Sequence, residues 1–378
     1  MSLNLAVLGG KLAAYRRDIS DTVEEVAAAT GVAIERIAAI EAGEVEPNGD
    51  EILILSDYFR CDYKVFLTDD ALPNAPPAQT LYRAKSADFG KEDRRSIRDF
   101  IYLCETEHEL EQDLGRLPTA FELPLEIRMR GDTDAAVSVV RARLGYDERQ
   151  LPLDVFGACR KLGVRVFRRS LGDSNISGLF IVHPVAGKCI LLNSSEDAYR
   201  QRFSAAHELA HALFDADEVA RVSLRSEKGE PLERRANAFA SAFLMPPHLL
   251  RRLPSPEKWS DEDARRWANE FKVSCDAFGI ALNKARLLSY VASSHIRGLR
   301  VSFADKVDPE LPSTLSESQH RQKVALLNMG LSDHYVGLCF EAHRNEMIST
   351  GRLAEALLLS HGELQEVAAL YGRALHVH

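Results

Sequence analysis

Apolar residues along the chain follow two different periods. In the first stretch they recur with helical spacing, at Val7, Leu8, Leu12 and Tyr15. Thr22 with Glu25 three residues on is a capping-box signature that opens a helix through Val26 and Ala27, and Gly31 breaks it. A second short helix is predicted from Ile34 to Glu41, ending at Gly43 with Pro47 beyond, and a further one from about Gly49 to Phe59. Residues 68–80 are proline-rich with small and polar neighbours and read as a linker. From about Ser86 to Leu117 the stripe Ile97, Phe100, Ile101, Leu103 and Leu110 predicts a helix stopped by Pro118, and Thr133 to Leu144 predicts another. Then the period shortens. Segments starting at Gly163, Gly178 and Lys188 are short, β-rich and bounded by Gly or Pro, and the last two read as a hairpin over Pro184–Gly187. Helices follow from about Tyr199 to Phe214 and Leu232 to Leu244, then two across residues 260–290. The last 80 or so residues are helical in pattern, carry no readable motif, and show no internal repeat. The implied class is α+β: an all-α start, a small sheet with helices, and a mostly helical end.

Composition adds bounds. A chain of 378 residues is long enough for two or three domains, and 46% hydrophobic with 27% charged residues is the balance of a soluble globular protein. No apolar run approaches the ~18 residues of a membrane span. The start lacks a basic segment and a signal-like cleavage site, so a cytoplasmic protein with no membrane partner is expected. Six cysteines lie far apart with no C-x-x-C pair, which excludes a cysteine zinc ribbon and favours reduced thiols. Charge is placed unevenly. Residues 1–72 hold 6 Lys/Arg against 14 Asp/Glu, a net of −8 out of the chain's −9. Such a domain repels phosphate at long range.

The clearest chemistry is His207-Glu-Leu-Ala-His211. Two histidines at i and i+4 share one helix face, about 6 Å apart along the axis, and can converge on one tetrahedral cation. Glu208 beside them suits a general base in a zinc peptidase, where the metal supplies Lewis acidity. A catalytic zinc needs a third protein ligand. Asp215 is eight residues from His207, about 12 Å along the same axis, and is a poor candidate. Glu233 on the next helix is a better one. Glu233 and Asn237 are i, i+4, and Ala236 and Ala240 permit close helix approach. Spacing alone leaves Glu233 either a ligand or a first-turn carboxylate that complements the helix dipole.

A longer stretch carries more. Ala136, Arg143-Leu-Gly, Gly163-Val-Arg-Val, Ile176-Ser-Gly-Leu, Ile190-Leu-Leu-Asn, Arg200 through His211, Glu233-Arg-Arg-Ala-Asn-Ala-Phe-Ala and Phe243-Leu-Met-Pro together resemble the ImmA/IrrE family of zinc metallopeptidases, over about Asp134 to Leu253. The resemblance implies one Zn2+ per chain held by His207, His211 and Glu233, with Glu208 as general base or acid. It implies a protein substrate of repressor or antitoxin type, encoded nearby and cleaved in a stress or gene-regulatory response. Ala210 stands where the family usually has Gly. Ala is the better helix former and adds no polar group. The rival reading is a transcription regulator whose zinc fold serves as a sensor or scaffold without turnover. Retention of Glu208 favours the enzyme, whose peptide substrate is expected to lie along the strand near Gly178–His183.

Thr22 through Gly43, with Pro47 and Leu55–Phe59, resembles the Xre/Cro-type helix-turn-helix family. Val26, Ala27, Val32, Ile37, Ile40 and Leu55 would form its core. The second helix of such a motif enters the major groove. Its outward positions are Ala33, Glu35, Arg36 and Ala39, of which only Arg36 can pair with guanine. DNA binding through residues 1–72, weak and as a homodimer, is the expectation, with a module used for dimerisation or for docking a protein partner as the rival. The expected organisation is a helix-turn-helix domain at 1–72, a linker and helical segment at 73–130, a peptidase domain at 131–292 and a helical region at 293–378.

Overall fold

The computed structural model describes residues 4–68, 89–172, 175–216, 220–224 and 230–375. The predicted linker falls almost wholly outside them. The chain forms two compact units: residues 1–105 with 171–174, and residues 106–170 with 175–378.

The first unit is helical. Its elements are α1 (Leu5–Asp18), α2 (Val23–Thr30), α3 (Ile34–Glu41), α4 (Gly49–Phe59), α5 (Lys64–Leu67) and the first turns of α6 (Lys91–Asp113). The capping box at Thr22 and Glu25 forms, and Asn48 with Glu51 makes a second one at the start of α4. Leu8, Leu12, Val26, Val32, Ile37, Ile40, Leu55 and Phe59 close the core; Ala27 packs at its edge. Gly9 lets α1 touch α3, since a Cβ there would lie 2.4 Å from the Ile40 carbonyl oxygen.

The second unit holds the sheet. Before it come α7 (Leu125–Arg130), α8 (Thr133–Arg143) and α9 (Val155–Lys161). Strands β1 (Arg165–Arg169), β2 (Ile176–His183), β3 (Gly187–Asn193) and β4 (Ala220–Leu224) are ordered β1-β3-β2-β4. β2 and β3 form the expected hairpin. The buried His183 organises its turn by accepting the backbone N–H of Ala186 at 3.0 Å. β1 runs parallel to β3, and β4 pairs antiparallel with β2.

Between β3 and β4 runs α10 (Ala198–Phe214), and after β4 comes α11 (Pro231–Leu244). α10 packs against both hairpin strands and α11, so 14 of its 17 residues are buried, polar ones included. Two of its buried polar side chains are answered locally: Arg202 donates to the carbonyls of Pro152 and Lys272, and Gln201 accepts from Arg168. Ala236 and Ala240 are fully buried in the shared core. Trp259 and Trp267 stack at 6.1 Å, and Trp259 stacks on Phe278 of α14 (Cys275–Lys284) at 6.0 Å, so both tryptophans pack rather than bind; α13 (Asp261–Glu270) lies between.

The remaining helices are α15 (Tyr290–Gly298), α16 (Glu317–Asn328), α17 (Asp333–Arg344), α18 (Thr350–Ala356) and α19 (His361–Leu370), counted after the short α12 (Pro247–Leu250). This region is tied to the sheet by buried charge. Arg168 pairs with Asp308 and, at 3.0 Å, with Glu310, which also holds Arg160 at 2.9 Å. Beside them the Ser170 N–H donates to the Asn328 carbonyl and Arg169 bridges to Met329, covering the outer edge of β1 at its C-terminal end. No helix among the described residues is long and apolar enough to cross a membrane.

Candidate metal centre

His207 and His211 sit on one face of α10, and Glu233 faces them from the first turn of α11. Their reacting atoms form a tight triangle. Nε2 of His207 lies 3.2 Å from Nε2 of His211; Glu233 places one carboxylate oxygen 3.1 Å from the first and the other 3.3 Å from the second. All three side chains are buried.

The other nitrogen of each ring is engaged. Nδ1 of His207 lies 3.2 Å from Oδ1 of the Asn237 side chain, and Nδ1 of His211 lies 2.8 Å from a carboxylate oxygen of Asp215. Both acceptors take an N–H, which fixes each neutral ring as the Nδ1-protonated tautomer. Each Nε2 then carries a lone pair, and the two lone pairs and the carboxylate aim at one point. Two such lone pairs 3.2 Å apart repel unless a proton or a cation lies between them. Two imidazole nitrogens and a carboxylate oxygen are also the donor set a catalytic zinc accepts, with one position left open. The residues therefore fit the metal.

The same field acts on the protein alone. Burial pushes His211 down, yet the hydrogen bonds to Asp215 and Glu233 and the charges of Glu208 and Glu233 outweigh it and raise its pKa to about 9. Glu233 is held well below the carboxylate range: burial raises it, but hydrogen bonds and charge from both histidines prevail. Asp215 is depressed likewise, with His211 and Arg235 overcoming burial; Arg235 pairs with its second oxygen and stacks its guanidinium 4.8 Å over Phe214.

Glu208 is fully buried and lies against the hairpin. A Cβ at Gly178 would stand 3.0 Å from Glu208 Oε1 and 3.1 Å from its Cγ, so β2 reaches the carboxylate only because residue 178 has no side chain. The pairing of β2 with β4 shifts register at this point, between Ile176 and Gly178.

Some expectations change. The strand segment Gly178–His183 was the natural place for an extended peptide to pair, but β2 is interior. Gly178 through Ile181 already pair with β3 on one side and β4 on the other, so their backbone groups are spent. Arg36 is committed inside its own unit: its guanidinium is bidentate to Glu51 at 2.7 and 2.9 Å and also donates to the Glu46 carbonyl. Reading a guanine would first break this pair.

Sequence reasoning weighed Asp215 only as a ligand, measured from His207. It sits four residues from His211, the i, i+4 signal that marks it as the partner of that ring. Asn237 carries the same signal from Glu233, and its role on His207 went unread. A second cluster, Glu107, Glu111 and His334, brings its ligand atoms within 4.8 Å of one another. There Arg165 donates to Glu111 and lies 3.7 Å from Glu107, so those carboxylates already hold a cation.

Residues 159–283 match the family model of the IrrE N-terminal-like domain of peptidases, and residues 12–66 match a helix-turn-helix model. The chain thus holds a metallopeptidase-like domain and a helix-turn-helix module of the DNA-binding type, together similar to the ImmA/IrrE arrangement. No curated protein and no solved structure matches it.

Proposed function

We propose that the chain is a zinc-dependent endopeptidase in which His207, His211 and Glu233 hold the metal and Glu208 moves the proton. The observation that carries this reading is the convergence of two imidazole lone pairs and a carboxylate, all buried and each ring fixed from behind. Zinc held there supplies Lewis acidity for hydrolysis of a peptide bond. The chain's own residues do the rest. Glu208 takes a proton from the attacking water on its carboxylate and returns it to the leaving amine nitrogen. Gly178 gives that carboxylate its room. Asp215 and Asn237 keep both rings turned toward the donor triangle.

An extended substrate needs a strand with an available edge. β1 is capped at the end of its outer side by Asn328 and Met329, and β2 and β3 are interior. β4 ends the sheet, and we place the substrate strand there. The substrate proposed is a regulatory protein of repressor or antitoxin type encoded near this chain, cut in a stress or gene-regulatory response.

The test is to incubate the zinc-loaded chain with the product of its neighbouring gene and look for one cut. Glu208→Gln should keep zinc and fold while lowering turnover on the order of 10²–10⁴-fold, because an amide cannot take the proton. Unchanged turnover by that variant sinks the assigned role.

A further inference from the structure

We propose that the helix-turn-helix unit docks a protein bearing a Lys/Arg-rich helical face, through the exposed acidic and small-residue surface around α3. The inference does not depend on the peptidase reading.

It starts from where the unit's cations are. Residues 1–72 contain six Lys/Arg. Lys11 is buried and donates to the carbonyls of Val65 and Thr68 at 2.8 and 2.6 Å. Arg16 is bidentate to Glu41 at 2.6 and 2.7 Å. Arg36 is bound by Glu51, Arg60 by Asp57 at 2.5 Å, and Lys64 lies 3.9 Å from Asp62. Arg17, at the end of α1, bonds to the Ala13 carbonyl of its own helix. The groups that neutralise phosphate in a DNA complex are thus largely spent inside the fold.

The face that enters the major groove in such modules is of the opposite kind. α3 and its flanks expose Ala33, Ile34, Glu35 and Ala38, with Glu44, Glu46 and Asp50 around them. The start of α2, whose positive end would take a backbone phosphate, is filled by its capping box and by Glu24 and Glu25. Duplex DNA carries a charge roughly every 1.7 Å along its axis, so this surface repels it.

Charge complementarity is already realised once within this unit. The first turns of α6 form a basic helix face: Lys91 lies 3.1 Å from Asp21 and also pairs with Glu25, Arg95 reaches Asp21 at 3.0 Å, and Arg94 donates to the Asp18 carbonyl. A basic helix therefore fits the acidic side of the module at α1 and α2. The α3 face offers a second set of carboxylates, Glu35, Glu44, Glu46 and Asp50, with Ala33, Ile34 and Ala38 as an exposed apolar centre for the partner's small side chains.

The test uses the full chain carrying Glu208→Gln, so that a probe is not cut. The probes are a fluorescein-labelled amphipathic helical peptide with Lys and Arg along one face, the same peptide with Glu replacing each cation, and a labelled mixed-sequence DNA duplex. Anisotropy should show the basic peptide bound, with affinity falling as salt rises. The pair Glu35→Lys and Glu46→Lys should weaken it about tenfold or more, since like charges then face each other. Glu317→Lys with Glu366→Lys, the same charge change on exposed sites far along the chain, should leave it within about twofold. The acidic peptide and the duplex should not bind. Three results overturn the proposal: no binding of the basic peptide, equal weakening by both double variants, or binding of the duplex that Arg36→Ala abolishes. Circular dichroism of each variant establishes that the unit is folded.

Discussion

Asp215→Asn isolates the geometry of the metal centre from its donors. The variant leaves His207, His211 and Glu233 in place and changes the carboxylate behind His211, where Nδ1 meets Asp215 at 2.8 Å, together with its pair to Arg235. The asparagine can still accept the N–H, but as a neutral acceptor, so a charge-assisted bond becomes an ordinary one. That difference is about 1–1.5 kcal/mol. Outer partners of ligating histidines are typically worth 10–100-fold in metal affinity, or about 1.4–2.7 kcal/mol. Arg235 already draws on the same carboxylate, which lowers its effective charge and places the expectation near the tenfold end. Competition with a chromophoric zinc chelator at neutral pH measures it directly and needs no substrate. Asn237→Ala is the internal comparison: the bond it removes is neutral and 3.2 Å long, so a severalfold loss is expected. If Asp215→Asn binds zinc within twofold of the parent chain while His211→Ala does not bind it, the orienting argument is wrong.

Gly178→Ala should lower kcat about tenfold with zinc content unchanged, because the atoms nearest the new Cβ are those of Glu208 and the Leu191 carbonyl, and the Glu208 carboxylate shifts by tenths of an ångström; loss of zinc in parallel would refute it. Burial, then the charge of Glu107, push Glu111 up to about 7 against the pull of Arg165. Its folded pKa lies above the ~4.3 of an unfolded chain, so stability falls as pH rises between these values and stays low above. Glu111→Gln should therefore raise the free energy of unfolding relative to the parent at pH ~8, by of order 2 kcal/mol, with little gain at pH ~4, as read by urea titration; the reverse order would contradict the sign. Glu310→Gln should cost about 3–5 kcal/mol in urea unfolding, because Arg160 and Arg168 keep their burial and lose their shared carboxylate.

Much of this was legible from local pattern. The capping box at Thr22, the break at Gly31, the hairpin across Pro184–Gly187 and the long helix through His211 each follow from short-range rules, and each stands in the structure. What could not be read was non-local. β4 is a strand because it lies beside β2; five residues, Ala-Arg-Val-Ser-Leu, show no period strong enough to announce it. The parallel pairing of β1 with β3 likewise depends on tertiary placement. That pairing and β4 together make β2 interior, and so move the expected substrate edge. At the site, His207, Glu208 and His211 follow from one pentapeptide, whereas Glu233 needs the packing of α11 on α10, 22 or more residues on. Arg36 shows the opposite limit. A lone exposed arginine on a recognition helix suggests base reading, and only the position of Glu51, fifteen residues away, shows it to be held.

The motif-free C-terminal region has a physical role that follows from the sheet. A strand with an unpaired outer edge invites pairing with any extended chain. This sheet has two ends, and a peptidase that holds its substrate by strand pairing works cleanly only if one end accepts a peptide. Asn328 and Met329 cover β1 at Arg169 and Ser170, and Arg160 and Arg168 fasten that cover through Asp308 and Glu310. These two arginines sit on α9 and β1, while Gln201 of α10 accepts from Arg168, so the same network also braces the helix that carries His207 and His211. Closing the end of one edge and steadying the helix that carries His207 and His211 are thus a single set of contacts. That explains how residues without chemistry of their own bear on where a substrate lies.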